Sequence, residues 1–224
     1  MQGYYVQMLY KLRITCLLIF VLVASSCAGP KTQICHPSNS LNCLSATEVW
    51  SKSINKVVAA NFQDELGFYK PVVHKAKFSN AWVDTGGDIN ITLSLLKRLN
   101  EVGRICVISH ELAHLKSNHY YSKLGISTLT SAAMSLAGVF VPGLGYLDYV
   151  VNPAVTNTFG RQFELTADRL AVEYIQKTGL TKMDYLKFLY WMKENLDSSS
   201  KPETLSLFST HPATQERISE LLKD

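Results

Sequence analysis

The chain has 224 residues, 47% hydrophobic and 18% charged, enough for one ordinary domain with a core of its own. That composition excludes a disordered chain, and 12 Gly and 7 Pro exclude a collagen-like or low-complexity one. The formal charge of +4 includes Lys11 and Arg13, which fall in an apparent leader; without them 20 basic residues face 18 acidic ones, which is no nucleic-acid footprint.

Met1 to Arg13 is basic and without acids, Ile14 to Ala24 is almost wholly apolar, and Ser25-Ser26-Cys27 brings small residues. This is the three-part form of a secretory signal, and its apolar stretch is well short of the ~20 residues a membrane-spanning helix needs. Residues 1–26 are therefore expected to be cleaved. Val23-Ala24-Ser25-Ser26-Cys27 resembles a bacterial lipobox, in which Cys27 would be acylated as the new N-terminus. Neither Ala28 nor Gly29 is the Asp that resembles an inner-membrane retention signal, so the expected address is the periplasmic side of the outer membrane. Ordinary cleavage after Ala28 is the alternative and would give a soluble periplasmic protein.

Residues 27–43 are rich in Pro, Ser and Asn and read as a tether. An oxidising compartment permits a disulfide between Cys35 and Cys43, while Cys106 reads as a buried small hydrophobe. The domain is expected over 44–224. Ser45-Ala46-Thr47-Glu48 is a capping box, followed at helical spacing by Trp50, Ile54, Val57, Val58 and Phe62, so a first helix should run to about Leu66. Extended stretches at Val72–Val83 and Asp88–Thr92 flank the Thr85-Gly86-Gly87 turn and suggest a small antiparallel sheet. A short helix over Leu93–Leu99 and a longer one from Val102 to about His119 come next. Residues 124–151 carry Asp148 as their only charge, yet Pro142, Gly138, Gly143 and Gly145 interrupt them; they read as a helix, a turn and a second segment folded over the site. Helices follow over 160–177, over 182–196 behind Thr181, and from Pro212.

His110-Glu111-Leu112-Ala113-His114 is an HExxH pattern. Residues four apart on a helix differ by about 40° in azimuth, so both imidazoles leave one face and can share a small cation. Zinc suits two neutral nitrogens and needs further ligands. Glu111 lies about 100° from His110, at the edge of that face, where a carboxylate can act on a water without becoming a ligand. His119 lies about 180° round the same helix from His110, so it reads as a surface or packing histidine. Ser117 and Tyr120 stand where the metzincin extension needs Gly and His. Glu164 is the best third ligand: Glu164 and Asp168 share a helical face bordered by the small Ala167 and Ala171, so one carboxylate can ligate while the other orients a ligand histidine. On spacing alone an exposed acidic pair fits equally well.

Four blocks over residues 78–218 make the resemblance specific: Asn80-Ala81 with Gly86-Gly87; the HExxH block; Arg161, Glu164, Ala167 and Asp168; and Ser209-Thr210-His211-Pro212 with Arg217. The chain resembles the HtpX-like and CAAX-prenyl-protease family of zinc metallopeptidases, most closely its soluble bacterial lipoprotein members. The resemblance implies one zinc held by His110, His114 and Glu164, Glu111 as catalytic base, Asp168 behind a ligand, and His211 close to the metal. Thr166 stands where the family usually has a second glutamate, and Ala171 where Gly is common. Locally, His211 before Pro212 fits a capping or surface histidine; the resemblance implies that it donates to an oxyanion or occupies the open zinc position. Arg217 can orient it, pair with an acid, or be an ordinary surface arginine.

The fold expected is a single mainly α (α+β) domain of the zincin type, with the small sheet before the active-site helix. The expected activity is hydrolysis of peptide bonds in misfolded or misassembled envelope proteins, from a membrane position set by the lipid at Cys27. The alternative is a client-holding or assembly lipoprotein on a zincin scaffold. The intact Glu111 argues against that alternative, because a scaffold has no use for a base there.

Overall fold

Ser40 starts the first long helix. Its extended backbone and its side chain, which accepts the Cys43 N–H at 3.2 Å, cap α1 (Leu41–Asn61). The computed structural model describes residues 32–84, 86–140, 148–196, 211 and 215–223; the leader and Cys27 lie outside them. The Ser45–Glu48 box is therefore inside α1, because Ser40 takes the cap one turn earlier. A short 3-10 turn, Gln63–Glu65, replaces the expected continuation to Leu66. Residues 33–43, expected as tether, belong to the folded unit that spans 33–224. They form β1 (Gln33–Ile34) and a 3-10 turn at Pro37–Asn39, and a disulfide joins Cys35 to Cys43.

The expected single stretch Val72–Val83 is two strands, β2 (Lys70–Lys75) and β3 (Ala81–Val83), followed by β4 (Asp88–Thr92). The sheet order is β1-β2-β4-β3, and it is mixed rather than antiparallel: β2 runs parallel to β4, with Lys70 opposite Asp88 and His74 opposite Thr92. The reason is the β3–β4 hairpin, whose second strand swings between β2 and β3. Gly87 permits that turn with φ of 88°, and a Cβ there would lie 2.6 Å from the Phe68 ring. β3 is left at the edge. Val73, Ile89 and Ile91 face the core, where the Trp50 indole donates to the Ile89 carbonyl at 2.8 Å.

After α2 (Leu93–Leu96), Asn100 caps α3 (Glu101–Lys116) by accepting the Gly103 N–H at 2.8 Å. Every residue from Ile105 to Ala113 is buried. α3 is thus enclosed on all sides, by α1, the sheet and later helices, and this is why its sequence shows no clean amphipathic stripe. It ends three residues before the expected His119, because Asn118 adopts φ of 54° and turns the chain into α4 (His119–Phe140). The Pro142–Gly145 turn lies outside the described residues. α5 (Asp148–Lys177) starts 12 residues before the expected 160, then passes α3 with Ala167 and Ala171 fully buried at the contact. α6 (Lys182–Leu196) opens with a reciprocal cap between Thr181 and Asp184, and α7 (Gln215–Lys223) closes the fold. Pro212 is outside the described residues. The architecture is mainly helical with one small mixed sheet, and no described helix is long and apolar enough to cross a membrane.

Candidate metal centre

α3 supplies the first two donors. His110 and His114 stand one turn apart with their Nε2 atoms 3.1 Å from each other. Two imidazole lone pairs approach that closely only with a proton or a cation to share. α5 passes α3 at its two alanines and brings Glu164 opposite. Its Oε2 is 3.2 Å from His110 Nε2 and its Oε1 is 3.2 Å from His114 Nε2. His211 joins from the other side, with Nδ1 2.8 Å from Glu164 Oε1. One donor atom from each of these four residues lies within 4.8 Å of all the others.

These residues fit zinc: two imidazoles and a carboxylate, no thiolate, with one oxygen of the buried Glu164 turned to each imidazole. Burial drives the His114 pKa down to about 3, which keeps its lone pair free of a proton. Burial opposes the charged form of His110 too, yet Asp168 and Glu164 outweigh it and raise that pKa to about 9, so a proton and a metal compete for this ring.

Glu111 is 4% exposed, and its Oε1 makes no hydrogen bond among the described residues. Burial raises its pKa, with His211 and His110 drawing it part of the way back. His211 Nε2 lies 3.7 Å from Glu111 Oε1. Val107, Phe188 and Met192 form the apolar wall beside both groups.

Behind His110 and Glu164 lies a network organised by Asp168, which is fully buried. Its Oδ1 sits 3.2 Å from His110 Nδ1, so a proton held there leaves His110 Nε2 to face a cation. Tyr185 donates to the same oxygen at 2.8 Å, and Arg217 forks onto the carboxylate through Nε at 2.7 Å and Nη2 at 2.6 Å. Burial alone would raise the Asp168 pKa; Arg217 and His110 overcome it and hold it at about 2. Arg217 Nη1 also reaches Glu164 Oε2 at 3.1 Å and donates to the His211 carbonyl at 3.1 Å. Of the roles open to Arg217 in the sequence, the structure selects the buried partner of an acid and of the His211 backbone. Tyr185 carries no sequence signal, since a tyrosine at a core position of α6 reads as packing.

His119 is a packing histidine that also touches the site. It is 7% exposed, stacks on Phe163 at 4.6 Å between ring centroids, and sets its Nδ1 2.9 Å from His114 Nδ1. Burial lowers its pKa, and a neutral His119 can accept a proton from His114 Nδ1, an arrangement that leaves the His114 Nε2 lone pair facing Glu164 and a cation. The 180° separation from His110 assumed a continuous helix, which the left-handed Asn118 breaks. The Ser117-Asn118 pair, good helix-ending chemistry, was the signal available. His119→Ala should weaken zinc binding by about 10- to 100-fold in competition with a chelating dye, and His119→Gln, which can still accept the bond, should recover most of it.

Comparison with curated proteins finds none that matches the chain. A family model does match, from residue 45 to residue 224, and its span takes in α3, α5, α6 and α7, the helices that build the His110, His114 and Glu164 group and the Arg217 contact behind it. The chain belongs to peptidase family M48.

Proposed function

We propose that the chain is a zinc-dependent endopeptidase. The observation that carries this reading is the buried Glu111 carboxylate, its Oε1 without a hydrogen bond among the described residues, set beside two imidazoles and a carboxylate that fit zinc. His110, His114 and Glu164 would hold the ion, and zinc when bound supplies Lewis acidity to a scissile carbonyl and to water. Glu111 takes a proton from the attacking water and returns it to the leaving amine. The rise in its pKa on burial favours that double duty, because a stronger base near neutral pH is still able to release what it takes. Asp168 and Arg217 hold His110 in place. His211 donates to the developing oxyanion or takes the remaining ligand position. The edge strand β3, which packs beside α3, offers its open side to an extended peptide, and backbone pairing of that kind makes modest demands on sequence.

The substrates proposed are misfolded or misassembled envelope proteins, and the anchor proposed is a lipid on Cys27. Purified mature protein should hold about one zinc per chain and cleave unfolded polypeptides. His110→Ala and His114→Ala should lose metal and activity together; a Glu164→Ala variant with full zinc and near-normal turnover removes Glu164 from the site. Mass spectrometry of membrane-extracted protein should find an acylated N-terminus at Cys27, and an unmodified N-terminus at Gly29 means a soluble periplasmic protein instead.

A further inference from the structure

Exposed apolar side chains and an absence of charge coincide at one end of the fold. Residues 32–47 contain no Asp, Glu, Lys or Arg. Within that run Ile34 is 52% exposed, Leu41 84% and Leu44 40%. The three are held together covalently: Ile34 precedes Cys35, Leu44 follows Cys43, and the disulfide between those cysteines brings their Cα atoms to 5.3 Å with Leu41 at the head of α1 just before. Three exposed apolar side chains on a disulfide-closed segment without Asp, Glu, Lys or Arg are a poor surface to leave in water. Its edges are different. Lys75, opposite Gln33 in the β1–β2 ladder, and Lys77 are both exposed, and acidic residues resume at Glu48.

Its position along the chain names the partner. Only residues 28–32 separate Cys27 from β1, so a lipid at Cys27 reaches this end of the fold through a segment at most about 20 Å long. The inference therefore rests on the anchor proposed above. We infer that this end of the domain lies on the phospholipid bilayer, with Ile34, Leu41 and Leu44 inserted at the boundary of headgroups and acyl chains and Lys75 and Lys77 against anionic headgroups. The lipid at Cys27 holds the domain within reach of the bilayer, and the apolar contact then sets which end of it faces the lipid.

The test sets the tether chemically. The mature chain made without lipid has Cys27 as its accessible thiol among the cysteines from that point on, since Cys35 and Cys43 are joined and Cys106 is buried. Coupling it to a maleimide-headgroup lipid in phosphatidylethanolamine–phosphatidylglycerol vesicles reproduces the reach whether or not the cell acylates the protein. Leu41→Trp and Ile34→Trp should then show blue-shifted added emission that loses at least half its intensity when the acyl chains are brominated. Met183→Trp, an exposed control on α6, should lose none. Equal and weak quenching at positions 34, 41 and 183 overturns the inference, as does a shift at 41 that follows protein density and ignores bromination, which is the mark of copies meeting each other. An unmodified Cys27 in cells overturns the anchor, and with it this placement in the cell, even when the vesicle result stands.

Discussion

Glu111→Gln should fold, bind zinc at the wild-type level, and hydrolyse unfolded polypeptide at least about 10²-fold more slowly, a loss of about 2.7 kcal/mol of transition-state stabilisation. The substitution keeps the size of the side chain and its ability to hydrogen-bond but removes the basic oxygen. The reason for separating metal from turnover is geometric. Glu111 lies outside the group of donors that converge on one point, whereas His110, His114, Glu164 and His211 lie within it. Its own contact is to His211, at 3.7 Å, too long for a hydrogen bond that would hold the fold together. Clients should accumulate on the variant uncut. Loss of zinc in Glu111→Gln would make this residue structural and end its assignment as the base. If wild-type protein cuts no unfolded envelope protein, and Glu111→Gln supports envelope assembly as well as wild type, the endopeptidase reading gives way to a client-holding one.

The site was readable where its chemistry is written in local spacing. His110 and His114, then Glu164 and Asp168, are each a pair four residues apart, and such pairs meet on one face of any helix that contains them. The small Ala167 and Ala171 even indicated that α5 could come close to α3. What could not be read depends on contacts made across the fold or on a single backbone angle. Asn118 sends His119 back toward His114 through φ of 54°, and a helix extrapolated through that residue points His119 the wrong way. Ser45–Glu48 reads as a helix start as well as Ser40 does; only the cap bond to Cys43 settles which one begins α1. The extended stretches on either side of Thr85-Gly86-Gly87 indicated a small sheet, but strand direction depends on which neighbour the β3–β4 hairpin presents to β2. Arg217 sits in a short helix with a strongly charged face, where an arginine ordinarily faces water, and its burial follows from Asp168 waiting 49 positions earlier in the chain.

Arg217→Met should cost about 3 to 5 kcal/mol of stability in urea denaturation at one fixed free-zinc concentration, because it removes the forked partner of a fully buried carboxylate while roughly keeping the volume. Tyr185 and His110 still face Asp168 Oδ1, but neither carries the fixed positive charge that holds the carboxylate ionised. The double variant Asp168→Asn/Arg217→Met should therefore be more stable than Arg217→Met alone, since removing the stranded charge relieves most of the penalty. Arg217→Lys should rescue only in part, because an ammonium restores the positive charge but cannot make two parallel bonds to the carboxylate and reach the His211 carbonyl as well. The pH dependence has a definite sign. Asp168 is depressed to about 2 in the folded protein, so the stability it contributes is whole above its unfolded value near ~3.9 and is lost as pH falls toward 2. The gap between wild type and Arg217→Met should accordingly be widest near neutral pH and narrow below about pH 4. A constant gap down to pH 2.5, or a double variant less stable than the single one, would mean that Arg217 acts by packing and that Asp168 does not depend on its charge.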